Sequence, residues 1–532
     1  MGGNVQALLK ENERLRTELD REREQRLVLA REKAALADRQ TELAEEKREL
    51  EKHVDILGEK IAWLTAKLFG RSSEKLTAEE KDQLRLFNES EVAGTEAEES
   101  QGVLVPSHTR RKAKRRPLPE SLPRDDVIID IPEQEKLCGC GAALVRIGED
   151  ASEKLDVIPA RFRVIRTIRP KYACKACEGS GDEEKPAVRI APMPLAVIDK
   201  GIATAGLLAF IITAKFCDHL PLYRQEKQFA RIGVDLSRKT MADWMIKVAA
   251  ACAPVMQAMA GRLRAGPVLQ IDETTVQVLG EEGRADTAKS FMWVARGGPA
   301  EAPVIIYRYS PTRAAVMAEQ ILADYEGYVQ TDGYGGYDAV CRREGLVHVG
   351  CWAHLRRGFT DAKKKSSKNS GSANQILALI ARLYAAEHER DRFEDEQEFA
   401  VHRRRQVEPV LEKIRKWLEK KSEQVPPSTA LGQAVKYAGS QWPKLVRYLD
   451  HPALTPDTNA VERAIRPFVV GRRNWLFSGS PRGADSSAVL FSLIATAEAN
   501  GLEPYGYMRR LLTELPTARS DDDYLNLMPV RS

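Results

Sequence analysis

Leucines stand at positions 8, 15, 29, 36, 43, 50, 57 and 64, a seven-residue register broken only by Glu22. Apolar spacing of seven holds one stripe of a slightly underwound helix against a partner helix. Four residues further on, a second seam reads Asn12, Leu19, Arg26, Lys33, Gln40, Lys47, Val54, Ile61 and Leu68. It is polar in the middle and apolar near its end, so pairing is expected to be weak before about Val54. Residues 5–69 are thus expected to self-associate as a coiled coil, with Phe69-Gly70-Arg71-Ser72-Ser73 breaking the helix.

Periodicity then lapses. Residues 70–129 read as a linker, acidic and Ser/Gly-containing over 77–105. Arg110, Arg111, Lys112, Lys114, Arg115 and Arg116 follow, with Pro117, Pro119 and Pro123 behind them. Like charges this dense stay solvated, which suits an arm lying along phosphates. In residues 130–185, extended β-branched runs (Leu155 to Ile158, Phe162 to Ile168) separate Cys138-Gly-Cys140 from Cys174-Lys-Ala-Cys177. Two cysteine pairs on two hairpin turns give four thiolates for one structural Zn²⁺, the pattern of a small zinc ribbon. The first pair is C-x-C, tighter than the usual knuckle.

Helical spacing returns over residues 195–256. His219 to Ile232 is amphipathic, Gly233 supplies a turn, and Ser237 can cap a helix carrying Arg238, Lys239, Thr240 and Trp244 near its start. Helix, turn and capped basic helix match a helix-turn-helix that enters a major groove.

Val268 to Leu279, β-branched and bounded by Pro267 and Gly280, reads as a strand, and Phe291 to Ala295 and Pro303 to Tyr309 follow at hairpin distances, giving three antiparallel strands. A helix is expected from Thr312 to Tyr325, a fourth strand over Tyr328 to Thr331, a short helix, and a fifth strand over Leu346 to Val349. That order is the order of a ribonuclease-H-like α/β core, here residues 265–365. In it the first and fourth strands are neighbours, so Asp272 and Asp332 converge. Carboxylates at strand centres or ends are costly unless paired or metal-bound. Phosphoryl transfer uses such acids to clamp two divalent ions, Mg²⁺ or Mn²⁺.

A third acid should follow the fifth strand, and Glu462 in Asp457-Thr-Asn459-Ala-Val-Glu462-Arg-Ala-Ile-Arg466 is the candidate. Asn459 and Arg466 share its helix face. Arg463, Arg466, Arg472 and Arg473 surround it with cations that would hold DNA. The 129 residues between Asp332 and Glu462 exceed a normal connection. Residues 366–455, charged and helical, are read as an all-α insertion, and residues 456–515 as the end of the catalytic core. Glu273, Asp338 and Asp361 are competing acids. Cys351 and His354 number only two ligands, so a packing and hydrogen-bonding role near the site is expected of them.

The fold class is therefore multidomain α+β: coiled coil, zinc-ribbon-like module, helical DNA-binding region, and ribonuclease-H-like core with its insertion. The charge balance of 82 − 77 = +5 is too mild to decide for nucleic acid, so the clustered cations carry that inference. The longest uncharged stretch, Gly201 to Ala214, is too short to span a bilayer, and the chain opens on no secretory pattern. Clustered cysteines point to metal in a reducing compartment, and a cytoplasmic location is expected.

At this point the chain resembles a bacterial DDE transposase of the insertion-sequence sixty-six family. The resemblance runs through LFGRSSEKL, CGCG…YACKAC, HLPLYRQEKQFARIGVDLSRKTMADW, LQIDETTVQVL, YVQTDGYGGYDAV, GCWAHLRRGF and TPDTNAVERAIRPFVVGRRNWLFSGS. It implies that the family's catalytic acids carry over to Asp272, Asp332 and Glu462, and its zinc cysteines to Cys140, Cys174 and Cys177. Leu137 stands where C-x-x-C expects cysteine, and Cys138 is the available substitute. The implied reaction is attack of a metal-activated water at each element end, then attack of the freed 3′-hydroxyl on target DNA. Implied partners are the terminal inverted repeats, target DNA, further copies of the chain and accessory transposition proteins, with no membrane. A non-catalytic zinc-finger regulator would not need the three acids. A structure-selective nuclease would gain little from the sequence-reading modules.

Overall fold

Gly2–Phe69 forms one continuous helix, α1, in a computed structural model that describes residues 2–69, 162–173, 188–365 and 371–530. On α1, Leu15, Leu29, Leu36, Leu43 and Leu50 are exposed, a stripe left without cover in the single chain. Cys138, Cys140, Cys174, Cys177 and the arm from Arg110 to Arg116 lie outside the described residues. No single described helix is long and apolar enough to cross a membrane.

The chain divides into two units, Met1–Arg71 with Pro194–Ser532, and Ser72–Met193. In the second, β1 (Lys171–Ala173) and β2 (Val188–Ile190) pair antiparallel with Lys171 opposite Ile190. Arg169 Nη1 donates to the Ala191 carbonyl at 2.8 Å beside them.

The first unit continues with four helices: α2 (Ala205–Phe216), α3 (Leu222–Arg231), α4 (Arg238–Ala251) and α5 (Ala253–Leu263). Gly233, at φ +80°, makes the turn after α3, and Ser237 caps α4 by accepting the Thr240 N–H at 3.1 Å. This is the expected helix, turn and cap, with one correction. Trp244 is buried with Met241, Met245 and Val248 in the main core, so it cannot face a groove.

A five-stranded sheet follows: β3 (Val268–Gln277), β4 (Lys289–Gly297), β5 (Val304–Ser310), β6 (Gly327–Gln330) and β7 (Leu346–Val349). Their order is β5-β4-β3-β6-β7. β3, β4 and β5 meander antiparallel, whereas β3–β6 and β6–β7 are parallel, with Val268 beside Tyr328. Helices α6 (Ala315–Leu322) and α7 (Gly336–Val340) link β5, β6 and β7. α6 is shorter than the expected Thr312 to Tyr325: Arg313, bound to Glu273, lies before it, and Ala323, at φ +41°, ends it.

After β7 come α8 (Trp352–Lys365), α9 (Gly371–Glu387), α10 (Glu396–Gln424) and α11 (Ala430–Leu445), then α12 (Asn459–Trp475), α13 (Pro481–Ala499), α14 (Pro504–Glu514) and α15 (Asp521–Asn526). Helices α8 to α11 bury a second apolar cluster around Trp352, Phe359, Ile380, Val407 and Ile414. Trp352, fully buried, donates its indole N–H to the Leu445 carbonyl at 2.9 Å and so ties the end of β7 to α11. The main core lies between the sheet and α2, α4, α5, α12, α13 and α14.

β5 is a sheet edge, and α13 closes it with side chains. Ser492 Oγ accepts the Tyr307 N–H at 2.8 Å, and Thr496 accepts the Ile305 N–H at 2.9 Å. Asn500 donates to the Pro303 carbonyl at 2.9 Å. An edge satisfied in this way offers little to a foreign strand.

Candidate active site

Alternation along β3 puts Leu269, Ile271 and Glu273 on one face and Gln270, Asp272 and Thr274 on the other, toward α12. Asp272 Oδ1 accepts the Glu273 N–H at 2.8 Å. Asp332 follows the end of β6, where its Oδ1 accepts the Tyr334 N–H at 2.9 Å. Glu462 stands in the first turn of α12, its Oε1 3.4 Å from Thr458 Oγ1. Burial pushes the Asp272 carboxyl up to about 8, and the neighbouring charges of Glu273, Glu462 and Asp332 add to the shift. Asp332 and Glu462 are thus close enough to act on Asp272, although the three acids come from three elements.

A buried glutamine pair holds this convergence together. Gln270 donates to Gln330 Oε1 at 2.9 Å and to the Asp457 carbonyl at 3.2 Å. Gln330 donates to the Thr455 carbonyl at 2.7 Å, and Gln270 Oε1 accepts the Val461 N–H at 3.3 Å. The pair thereby fastens the residues that lead into α12, and the start of α12 itself, to β3 and β6. Asp457 adds a cap, accepting the Asn459 N–H at 3.0 Å and the Asn459 side-chain N–H at 2.8 Å. None of Gln270, Gln330 or Asp457 was singled out from sequence chemistry.

The competing acids have other occupations. Glu273 is sequestered on the opposite face, bound by Arg313 and by the Tyr337 hydroxyl. Arg313 also lies over the Tyr334 ring at 3.6 Å and reaches Asp332 Oδ2 at 3.8 Å. Asp338 pairs with Lys444 and stands 3.4 Å from His348 Nδ1. Asp361 is exposed on α8.

Cys351 is buried, and its Sγ accepts the Thr458 N–H at 3.4 Å and the Thr458 hydroxyl at 3.2 Å. His354 Nδ1 lies 3.7 Å from Glu462 Oε1, and Arg357 lies 3.7 Å from Glu462 Oε2.

Of the cationic candidates, Arg238 and Lys239 are exposed at the start of α4, and Arg463, Arg466 and Arg473 are exposed on α12. Arg472 is only partly exposed and donates to Thr275 Oγ1 at 3.2 Å and Thr274 Oγ1 at 3.4 Å, so it also fastens α12 to β3.

The donor set of Asp272, Asp332 and Glu462 is all hard oxygen, as Mg²⁺ or Mn²⁺ requires. Burial and the neighbouring carboxylates disfavour the charge of Asp272, which a bound cation would relieve. These residues fit divalent ions.

The family model described as Transposase IS66 family matches residues 200–486. The zinc-finger binding domain of transposase IS66 matches residues 135–178, and the IS66 C-terminal element matches residues 492–530. A model described as Transposase C of IS166 homeodomain matches residues 56–127. The uncharacterized protein y4jD of Sinorhizobium fredii is 34% identical over 495 residues, 90% of this chain and 94% of its own length. From the same organism, the uncharacterized protein y4qI is 33% identical over 527 residues, covering 94% of this chain and 95% of its own length.

Proposed function

The chain belongs to the transposase IS66 family, and from that premise we propose that it cuts the phosphodiester at the 3′ ends of its insertion sequence and joins them to target DNA. It is a transposase, a DNA-processing enzyme with a zinc-finger DNA-binding domain. The observation that carries the cleavage reading is the convergence of Asp272, Asp332 and Glu462 from β3, the end of β6 and α12, close enough that the last two add to the upward shift of the Asp272 carboxyl. The sheet is read as ribonuclease-H-like on its order β5-β4-β3-β6-β7 with β3 and β6 parallel.

Asp272, Asp332 and Glu462 would hold two ions that, when bound, lower the pKa of an attacking water and offset charge on the phosphate in transit. The protein's own groups do the positioning. The Gln270–Gln330 pair fixes the register of α12 and with it the Glu462 carboxylate. The Tyr334 amide orients Asp332, and Arg313 neutralises Glu273 so that its charge does not add fully to the site. Exposed Arg463, Arg466 and Arg473 would take backbone phosphates, leaving the scissile bond over the acids. Cleavage and joining are two in-line displacements at one site, first by water and then by the 3′-hydroxyl.

Two modules complete the proposal. Residues 5–69 would self-associate, and a monomeric 5–69 fragment in sedimentation at high micromolar concentration would reject this. Cys138, Cys140, Cys174 and Cys177 would bind one structural Zn²⁺, and a zinc-free 130–185 fragment after metal-replete expression would reject that.

The function is tested with linear DNA carrying the inverted repeats that border the gene. With Mg²⁺ the protein is expected to nick at the repeat ends. Binding without cutting in either Mg²⁺ or Mn²⁺ would leave a regulator, and cutting indifferent to the repeats would leave a nuclease.

A further inference from the structure

We propose that Cys351, His354 and Glu462 form a second metal site, chemically distinct from the Asp272–Asp332 pair, which takes a borderline divalent ion, Zn²⁺ foremost. One ligand atom from each of these residues lies within 4.8 Å of the others. Cys351 immediately precedes α8 and His354 stands in its first turn, a spacing of three that turns both toward the same side. Glu462 arrives from the first turn of α12. Read from sequence, Cys351 and His354 were two ligands short of a zinc site; the fold supplies a third.

A tetrahedral ion with bonds of about 2.0–2.3 Å sets its ligands roughly 3.3–3.8 Å apart, so small side-chain rotations close this set. His354 Nδ1 is buried without a hydrogen-bond partner among the described residues, and it lies 3.7 Å from Glu462 Oε1. A buried imidazole nitrogen left unmatched beside a carboxylate calls for a partner, and a bound cation would supply one. Cys351 Sγ is held as an acceptor by both the N–H and the hydroxyl of Thr458, the outer support that steadies a thiolate ligand. Sulfur and imidazole donors suit Zn²⁺ and disfavour Mg²⁺, whereas the Asp272–Asp332 pair offers oxygen only. Three protein ligands leave the fourth tetrahedral position open.

The site rests on the proposed function only in sharing Glu462, whose Oε1 faces His354 and whose Oε2 faces Arg357. Full-length protein stripped with a chelator and dialysed against low micromolar Zn²⁺ is expected to hold one more ion per chain than Cys351→Ser, His354→Ala or Glu462→Gln. With Co²⁺ in place of Zn²⁺, the thiolate charge-transfer absorption of that extra ion should vanish in Cys351→Ser. Glu462→Gln changes a partly exposed side chain, so it reads the site even where loss of the buried thiol prevents folding. Equal zinc counts in wild type, folded His354→Ala and folded Glu462→Gln overturn the site. Asp272→Asn separates the two readings, since it should lose cleavage and keep the extra ion. Cleavage retained in Asp272→Asn with the extra ion present would sink the catalytic assignment and leave the zinc site standing.

Discussion

Arg313 binds the Glu273 carboxylate on one face of β3 and stands 3.8 Å from Asp332, which follows β6, the strand paired with β3. Glu273 is nearly sequestered, its side chain 1% exposed, while Arg313 is 37% exposed. Successive strand residues point to opposite faces, which made Glu273 look like an inert companion of Asp272. The shared arginine makes it a partner of Asp332 instead.

Glu273→Gln should therefore disturb the site. The amide keeps a hydrogen bond to Tyr337 but releases the charge that occupies Arg313, which is then free to pair with Asp332 and compete with cations there. Stability should change little in urea unfolding, since burial already holds the Glu273 carboxyl above its usual range despite Arg313 and Tyr337. The Mg²⁺ concentration needed for end cleavage should rise, and adding Arg313→Ala should bring it back down. An unchanged Mg²⁺ requirement in Glu273→Gln rejects the coupling.

The glutamine pair yields a second prediction. Gln330→Leu removes the donor to the Thr455 carbonyl and leaves Gln270 without its 2.9 Å acceptor. Buried polar groups stranded in this way cost about 1–3 kcal/mol. Since α12 carries Glu462 as well as Arg463, Arg466 and Arg473, cleavage should fall, and by more than binding of the DNA ends, part of which is expected from the zinc module and basic arm. Wild-type cleavage and unfolding midpoint in Gln330→Leu would show that α12 docks without the pair.

How much of this was legible depends on range. The β-branched runs Val268–Gln277 and Leu346–Val349 read directly as strands, because that signal is local. Ser237 as a cap reads for the same reason. Arg313 does not, because an arginine before a helix looks solvated until Glu273 is known to face it. Trp244 misleads: helical spacing says which residues share a face, not which neighbour covers that face. The signal for the glutamine pair was present twice, in Gln270-Ile-Asp272 and Gln330-Thr-Asp332. On paired parallel strands, equal offsets put both glutamines beside each other two residues behind both acids. Glutamine suggests no chemistry by itself, so only the repeat could have exposed it.

A pH prediction comes from the helical region after β7. Glu387 lies 3.6 Å from Arg403, yet burial outweighs the arginines and pushes its carboxyl up to about 6. The folded state thus binds this proton more tightly than the unfolded chain does. Its contribution to stability is complete below pH about 4.5 and is lost as pH rises through about 6, on the order of 2 kcal/mol. His348, pushed down to about 4 mainly by burial, acts in the opposite direction as pH falls from about 6.5. Comparing wild type with Glu387→Gln cancels His348, which both proteins carry. Urea unfolding at pH 4 and pH 7 should show wild type losing stability relative to Glu387→Gln as pH rises; a constant difference would reject the assignment.

The last prediction concerns the three acids. Asp272→Asn, Asp332→Asn and Glu462→Gln should each abolish end cleavage and leave end binding intact. Binding is expected from the zinc module, the basic arm and exposed cations on α4 and α12, none of which these substitutions touch. An amide preserves the side chain's shape and removes the charge that would clamp an ion. Loss of an ion removes stabilisation of the attacking or the leaving oxygen, worth several kcal/mol, or on the order of a thousandfold in rate. Asp272→Asn carries a second expectation. Burial and three neighbouring carboxylates already disfavour its charge, so in metal-free protein the amide should not destabilise the fold. Cleavage lost together with folding would mean that the acids serve structure. Cleavage lost in Glu273→Gln but kept in Glu462→Gln would move the active face of β3 to its other side.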